Sequence, residues 1–250
     1  MENKHSFLPM ALILAVGFII GAWIISSTWR GVSRSNVTIS VTGSASKQIK
    51  SDLAVWEGNF SIQSANLVDG YAKLQESYKK VKAYLISKGF PEDKIKFSAV
   101  NSEPVYEGGE NTYGSYTGKK STQKQIGYEL SQDVSIESKD VDKIDLLSRE
   151  ITELISQGIQ IESESPKFYY TNLSDLKIEM IGLAALDAKQ RAEQIAKSTD
   201  DKVGEVRSSK TGVMQINAKN STDVSDYGVN DVSSIDKTIT SVVSVTFSIK

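Results

Sequence analysis

Cysteine is absent from the chain, which excludes disulfides, thiol nucleophiles, thiolate metal sites and iron–sulfur clusters together. The compartment therefore cannot be read from redox chemistry. Histidine is almost absent as well: the one residue, His5, precedes a long apolar segment, so everything after that segment lacks an imidazole. The two side chains most used near neutral pH for catalysis and transition-metal binding are thus missing from the body of the protein. Neither sign of charge is in excess, with 29 Lys and Arg against 31 Asp and Glu and a formal charge of -2. That balance, without a clustered Lys/Arg stripe, argues against nucleic acid as a partner. Walker A, Rossmann and G-x-S-x-G signatures are also missing, and no cofactor is implied.

What is present is enough apolar material for a core. The 250 residues are 39% hydrophobic, with a mean hydropathy of -0.26, which fits one substantial domain or two small ones. The apolar residues are concentrated first between Leu8 and Trp29, an uncharged run containing LILAVGFIIGAWII and bounded by Lys4 on one side and Arg30 and Arg34 on the other. About 20 such residues at 1.5 Å each cross a ~30 Å hydrocarbon layer, and Trp29 is placed for the interface. A cleaved signal peptide would have a shorter apolar run and an A-x-A-like site, whereas ISSTWRGVS follows here. The expectation is an uncleaved transmembrane signal-anchor over 1–30 with membrane contact through 8–29, a tether over 31–36, and one α+β domain over 37–250. The flanking charges are too evenly split to orient the anchor.

Within the domain, Val37, Ile39 and Val41 alternate with polar residues up to Gly43, and Ala54, Trp56, Gly58, Phe60 and Ile62 share a second strand face. Leu67, Tyr71, Leu74, Tyr78, Val81 and Leu85 form a helical stripe that stops at Gly89 and Pro91. Ile95, Phe97 and Ala99 predict a third strand. Ile126, Tyr128, Leu130, Val134 and Ile136 predict a fourth, with Gln132 breaking its face. A second helix uses Val141, Ile144, Leu147, Ile151 and Leu154 and ends at Gly158. A fifth strand runs over 159–170. A third helix buries Leu173, Leu176, Met180, Ala184, Ala188, Ala192 and Ile195, its alanine row implying close approach to a sheet. Strands over 203–216 and around Val243 to Ile249 complete the order β-βαββ-α-βαββ, an antiparallel sheet with packed helices. Two βαββ units, 52–137 and 159–250, suggest an internal repeat; the overlapping reading is a ferredoxin-like βαββαβ unit over 52–171.

The motifs carry little chemistry. Ser44-x-x-Lys47, Ser174–Asp175 and Lys210–Thr211–Gly212 follow the chain order of the penicillin-recognising serine enzymes, but that chemistry needs the Ser and Lys one helical turn apart. Ser44 and Lys47 fall between two strands in this reading, where residues three apart point to opposite faces. Glu162 and Glu164 share a strand face with Gln160, which reads as a solvated face. Asp223, Asp226, Asn230 and Asp231 bring oxygen ligands together without EF-hand spacing. The Gly- and Tyr-rich stretch 107–125 offers Tyr106, Tyr113 and Tyr116 as candidate partner contacts, since long loops on rigid sheets commonly bind.

Several segments together resemble the SIMPL domain family. These are Val41–Thr42–Gly43 followed by Asp52–Leu53–Ala54–Val55–Trp56, Tyr170 through Ile181, AALDAKQRAEQIA over 184–196, Val203–Gly204–Glu205–Val206, and the Ser234…Lys237…Val245 strand. The resemblance covers nearly everything after residue 36. It implies a bacterial envelope protein, single-pass in the membrane with its C-terminal domain facing the periplasm or cell exterior. It further implies a link to stress tolerance and ring- or barrel-like homo-oligomers. It supplies no catalytic residue, and Gly43, Ala184, Ala188 and Gly204 take structural roles. The expected function is a non-catalytic, self-assembling, membrane-anchored protein. The alternative is a glycan- or ligand-binding module using the loop 107–125.

Overall fold

The computed structural model describes residues 7–35, 37–107 and 124–250, with side chains for 11–26, 37–107 and 124–250. Tyr113 and Tyr116 lie outside the described residues. The chain begins with helix α1 (Phe7–Ser35), followed by β1 (Thr38–Lys50), β2 (Leu53–Ser64), α2 (Leu67–Ser87), β3 (Ile95–Phe97), β4 (Asn101–Tyr106) and β5 (Gln125–Ser138). Helix α3 (Val141–Glu150), β6 (Gln160–Ser163), β7 (Lys167–Tyr169) and α4 (Leu173–Ser198) come next. Strands β8 (Val203–Thr211), β9 (Gln215–Ala218), β10 (Val229–Asn230) and β11 (Asp236–Ile249) complete the fold.

The strands form two sheets. The first has the order β3-β5-β2-β6, with β4 on β5 and β7 on β2, all antiparallel. With α2 and α3 it makes the ferredoxin-like βαββαβ arrangement. The second has the order β1-β11-β9-β10, with β8 also on β11. The expected repeat of two βαββ units is therefore corrected. The strands following α3 pair with β2 in the first sheet, and the N-terminal strand β1 takes their place in the second.

The reason lies in the cores. Trp56, Phe60, Leu74, Val81, Leu85, Leu130, Val134, Ile136, Ile144, Ile151 and Leu154 are sealed between the first sheet and its helices, with Ile161 and Phe168 of β6 and β7 completing that layer. At roughly 1.5–3 kcal/mol for each large apolar side chain, burying Ile161 and Phe168 there decides where β6 and β7 go. Trp56 Nε1–H donates to Ser163 Oγ at 2.9 Å, and that hydroxyl donates to the Ser148 carbonyl at 2.7 Å, so the buried indole is satisfied. Behind the second sheet, Val41, Val243, Val245 and Phe247 meet Ala184, Ala188 and Ala192 of α4. Ile49, Ile216 and Ile239 meet Leu176 and Met180 farther along the same helix.

The chain crosses between sheets twice, and one carboxylate pins both crossings. Asp52, just before β2, accepts from the Thr171 N–H and the Thr171 hydroxyl, each at 2.8 Å, while its own N–H donates to the Tyr169 carbonyl at 2.9 Å.

Other expectations shift in detail. The third strand stops at Phe97, and Ala99 is exposed. The first strand passes through Gly43 to Lys50, so Ser44 and Lys47 lie within β1 instead of between strands; their side chains still take opposite faces. Leu67 and Tyr71 are exposed, and Gly70 replaces them on the buried side of α2, because only a residue without a side chain fits beside Leu130 and Ser64. Gln132 is buried with the apolar face of β5, its amide donating to the Ser98 carbonyl at 2.7 Å. Ile126 and Ile195 are exposed.

Among the described residues no helix is long and apolar enough to cross a membrane. Side chains of α1 are described for residues 11–26. Those side chains face outward, Leu12, Ile13, Phe18, Ile19, Trp23 and Ile25 among them.

Candidate functional site

The features that distinguish this domain are the borders of its second sheet. The first sheet is closed at its borders by devices that blunt strand pairing. Strands β3, β6 and β7 are three or four residues long, β4 contains Pro104, and Pro166 separates β6 from β7. The second sheet has one two-residue border strand, β10, but its other two borders are long and free of proline. Strand β1 is 13 residues long and, among the described residues, pairs only with β11. On the other side of β11, β8 is nine residues long and exposed from Glu205 to Thr211.

The register fixes which backbone groups of β1 are free. The Ile249 N–H donates to the Val37 carbonyl at 3.0 Å and the Ser51 N–H to the Ile235 carbonyl at 2.9 Å. Opposed residues in this pair are Val41 with Val245 and Gly43 with Val243. Odd-numbered residues thus make the ladder to β11, and the even-numbered ones from Thr38 to Lys50 turn their N–H and C=O groups to the outer edge. Their side chains form the open face of the sheet, where hydroxyls satisfy one another across the strands. Ser40 pairs with Thr246 at 3.2 Å, Thr42 with Ser244 at 3.0 Å and Ser46 with Thr240 at 2.9 Å.

Helix α4 brings charge to the β1 edge. Gly43 faces the helix with no room for a side chain: an added Cβ would overlap the Ala184 carbonyl oxygen and the Ala188 amide nitrogen, and would lie 2.7 Å from Ala188 Cα. This is the close approach that the alanine row implies, and it gives Gly43, Ala184 and Ala188 their structural roles. From this helix Asp187 Oδ2 accepts the outward-facing Ser44 N–H at 2.7 Å, and Arg191 Nε donates to the same oxygen at 2.8 Å. These two donors, the Ser44 amide first, hold the Asp187 carboxyl below its ordinary value of about 3.8. Two turns earlier, Lys47 Nζ reaches Glu179 Oε1 at 2.7 Å. Gly204 is likewise structural, since a Cβ there would lie 2.5 Å from Ser248 Oγ.

A second unexpected group sits where the two sheets join. Lys237 of β11 is 2% exposed, and its Nζ donates to the Phe168 carbonyl at 2.6 Å. Burial pushes its ammonium below its usual 10.5, opposed by the nearby Asp231 carboxylate. A lysine at the inward parity of the alternating strand Ile239, Ser241, Val243, Val245 was the sequence signal for it. Asp187 had only its (i, i+4) spacing from Arg191 to mark it.

The remaining sequence candidates do not converge. Tyr106 ends β4 and is exposed. Lys47 is engaged by Glu179, so the Ser44–Lys47 pair does not assemble. Glu162 is exposed on β6, and Glu164 joins Glu57 and Asp133 around a shallow depression of about 440 Å³ on the open face of the first sheet. Asp223 accepts from Ser221 and Asp231 from Ser233 within local turns. Among the described residues no three His, Cys, Asp or Glu side chains come together to hold a metal.

A family model described as a protein of unknown function (DUF541) matches residues 39–247. No curated protein matches the chain.

Proposed function

The chain belongs to the SIMPL family, and from that premise we propose that it is a membrane-anchored, non-catalytic protein of the cell envelope whose copies join through the free strand edges of the second sheet. One observation carries the reading. The two long borders, β1 and β8, lie on opposite sides of β11, while every described border of the first sheet is short or broken by proline. An open edge is a template for another strand, and two unlike edges on one sheet favour head-to-tail joining of β1 to the β8 of a neighbour. The open face of the sheet does not compete, because its Ser and Thr hydroxyls already pair across the strands.

The anchor is part of the same proposal. The uncharged run from Leu8 to Trp29 and the exposed apolar side chains of α1 support a helix that sits in lipid, since such a surface needs a cover. The domain then faces the periplasm or cell exterior, on the side that the family resemblance implies, where a stress-related role would lie. The experiment is the native mass of the detergent-solubilised full-length protein beside that of residues 33–250. A discrete multiple in both is expected; monomers in both at micromolar concentration contradict the reading.

A further inference from the structure

We infer that the Asp187 carboxylate guards the β1 edge: by occupying the outward amide of Ser44, it sets how readily a second strand adds there. This deepens the edge-assembly reading above and rests on it. Ser44 is the central residue of the 13-residue strand β1, and its N–H points away from β11. A strand added to β1 would bond to both the outward N–H and the outward C=O of alternate residues, Thr42, Ser44 and Ser46 among them. Among the described residues, only the Ser44 amide of these is engaged, at 2.7 Å from Asp187 Oδ2. One occupied amide at the middle divides the free edge into two short halves, and short edges pair poorly.

The geometry explains how a helical side chain reaches a strand edge. Without a side chain at Gly43, the α4 backbone lies against β1, and the residue preceding Ala188 is carried to the border. Arg191, one turn on, fixes the carboxylate from the helix side at 2.8 Å. The Asp187 side chain remains partly solvent-accessible, at 30%, so an incoming carbonyl can replace it without opening the core. A carboxylate binds an amide more strongly than a peptide carbonyl does, so the guard slows addition while leaving it reversible. On displacement Asp187 keeps its bond to Arg191.

The test compares the full-length protein in detergent with Asp187→Ala and Asp187→Asn. The amide oxygen of asparagine still accepts the Ser44 N–H, whereas alanine leaves it bare. Asp187→Ala is expected to assemble at about tenfold lower concentration than the unaltered protein, the loss of one charge-assisted bond to the edge. Asp187→Asn should fall between them. Amide exchange supplies a readout independent of assembly: under dilute, monomeric conditions the Ser44 amide should be slow in the unaltered protein and as fast as Thr42 and Ser46 in Asp187→Ala. An Asp187→Ala protein that assembles no more readily overturns the guard, whatever the unaltered protein does. If the unaltered protein still forms a discrete oligomer, edge assembly survives that failure. If every form is monomeric, both readings fall.

Discussion

At the residue scale two positions concentrate the physics, and neither is apolar. Lys237 keeps a buried ammonium on the Phe168 carbonyl at the seam of the two sheets. Removing it to alanine takes away the bond and the packing of the stem, and should cost about 2 kcal/mol in chemical denaturation. Lys237→Met keeps the volume and removes the desolvated charge, so it should stay within about 1 kcal/mol of the parent. The pH dependence separates them. Because the folded-state value of Lys237 lies below 10.5, the unfolded chain holds the extra proton in the window between the two values. Stability should therefore rise with pH across that window in the parent relative to Lys237→Met. Equal pH profiles for the two would contradict the buried charge. Gly43 is the opposite case, a residue that matters for what it lacks: Gly43→Val should destabilise by about 3 kcal/mol, because the α4 backbone has to move. In the sequence Gly43 reads as a strand end, since glycine usually punctuates; only the alanine row opposite hints that it marks contact.

At the element scale, periodicity located helices well and strand divisions poorly. Helix α3 and the 3-10 turn that continues it bury every residue of the expected stripe, Val141, Ile144, Leu147, Ile151 and Leu154, and Gly158 closes it at a φ of +80. Helix α4 keeps its buried row from Leu176 through Ala192 and extends it to Ala196 where Ile195 was expected. Strand β4 was not legible because its residues are mostly exposed and include Pro104, so no alternation marks it. The 159–170 segment looks like one strand but is two, separated at Pro166. The same element scale holds a further prediction. The row of small side chains sets the distance between α4 and β1, so Ala188→Leu should lower stability by about 1–3 kcal/mol through overpacking. It should also loosen Asp187 from Ser44, seen as faster exchange of that amide. A stable Ala188→Leu protein with a protected Ser44 would contradict the close approach.

At the scale of the whole molecule the sequence carried the fold class but not the partition into two sheets, because pairing partners depend on which core an element completes. Phe168 and Ile161 could alternate against either sheet; they seal the layer around Trp56 and Phe60. That choice leaves β1 and β8 as the long borders of the second sheet and makes assembly the function the architecture best supports. Anchoring through α1 adds its own expectation: membranes washed with alkaline carbonate should retain the protein, and its appearance in the wash would remove the anchor from the account. The most direct test of edge assembly is the native mass of the full-length protein carrying Thr42→Pro. Proline is tolerated at that position, since the Thr42 N–H faces the open edge and makes no bond to β11, but it removes one donor from any added strand. The account predicts a discrete oligomer for the parent and a folded monomer, or a sharply weakened oligomer, for Thr42→Pro. An oligomer of unchanged mass and stability in Thr42→Pro would contradict it.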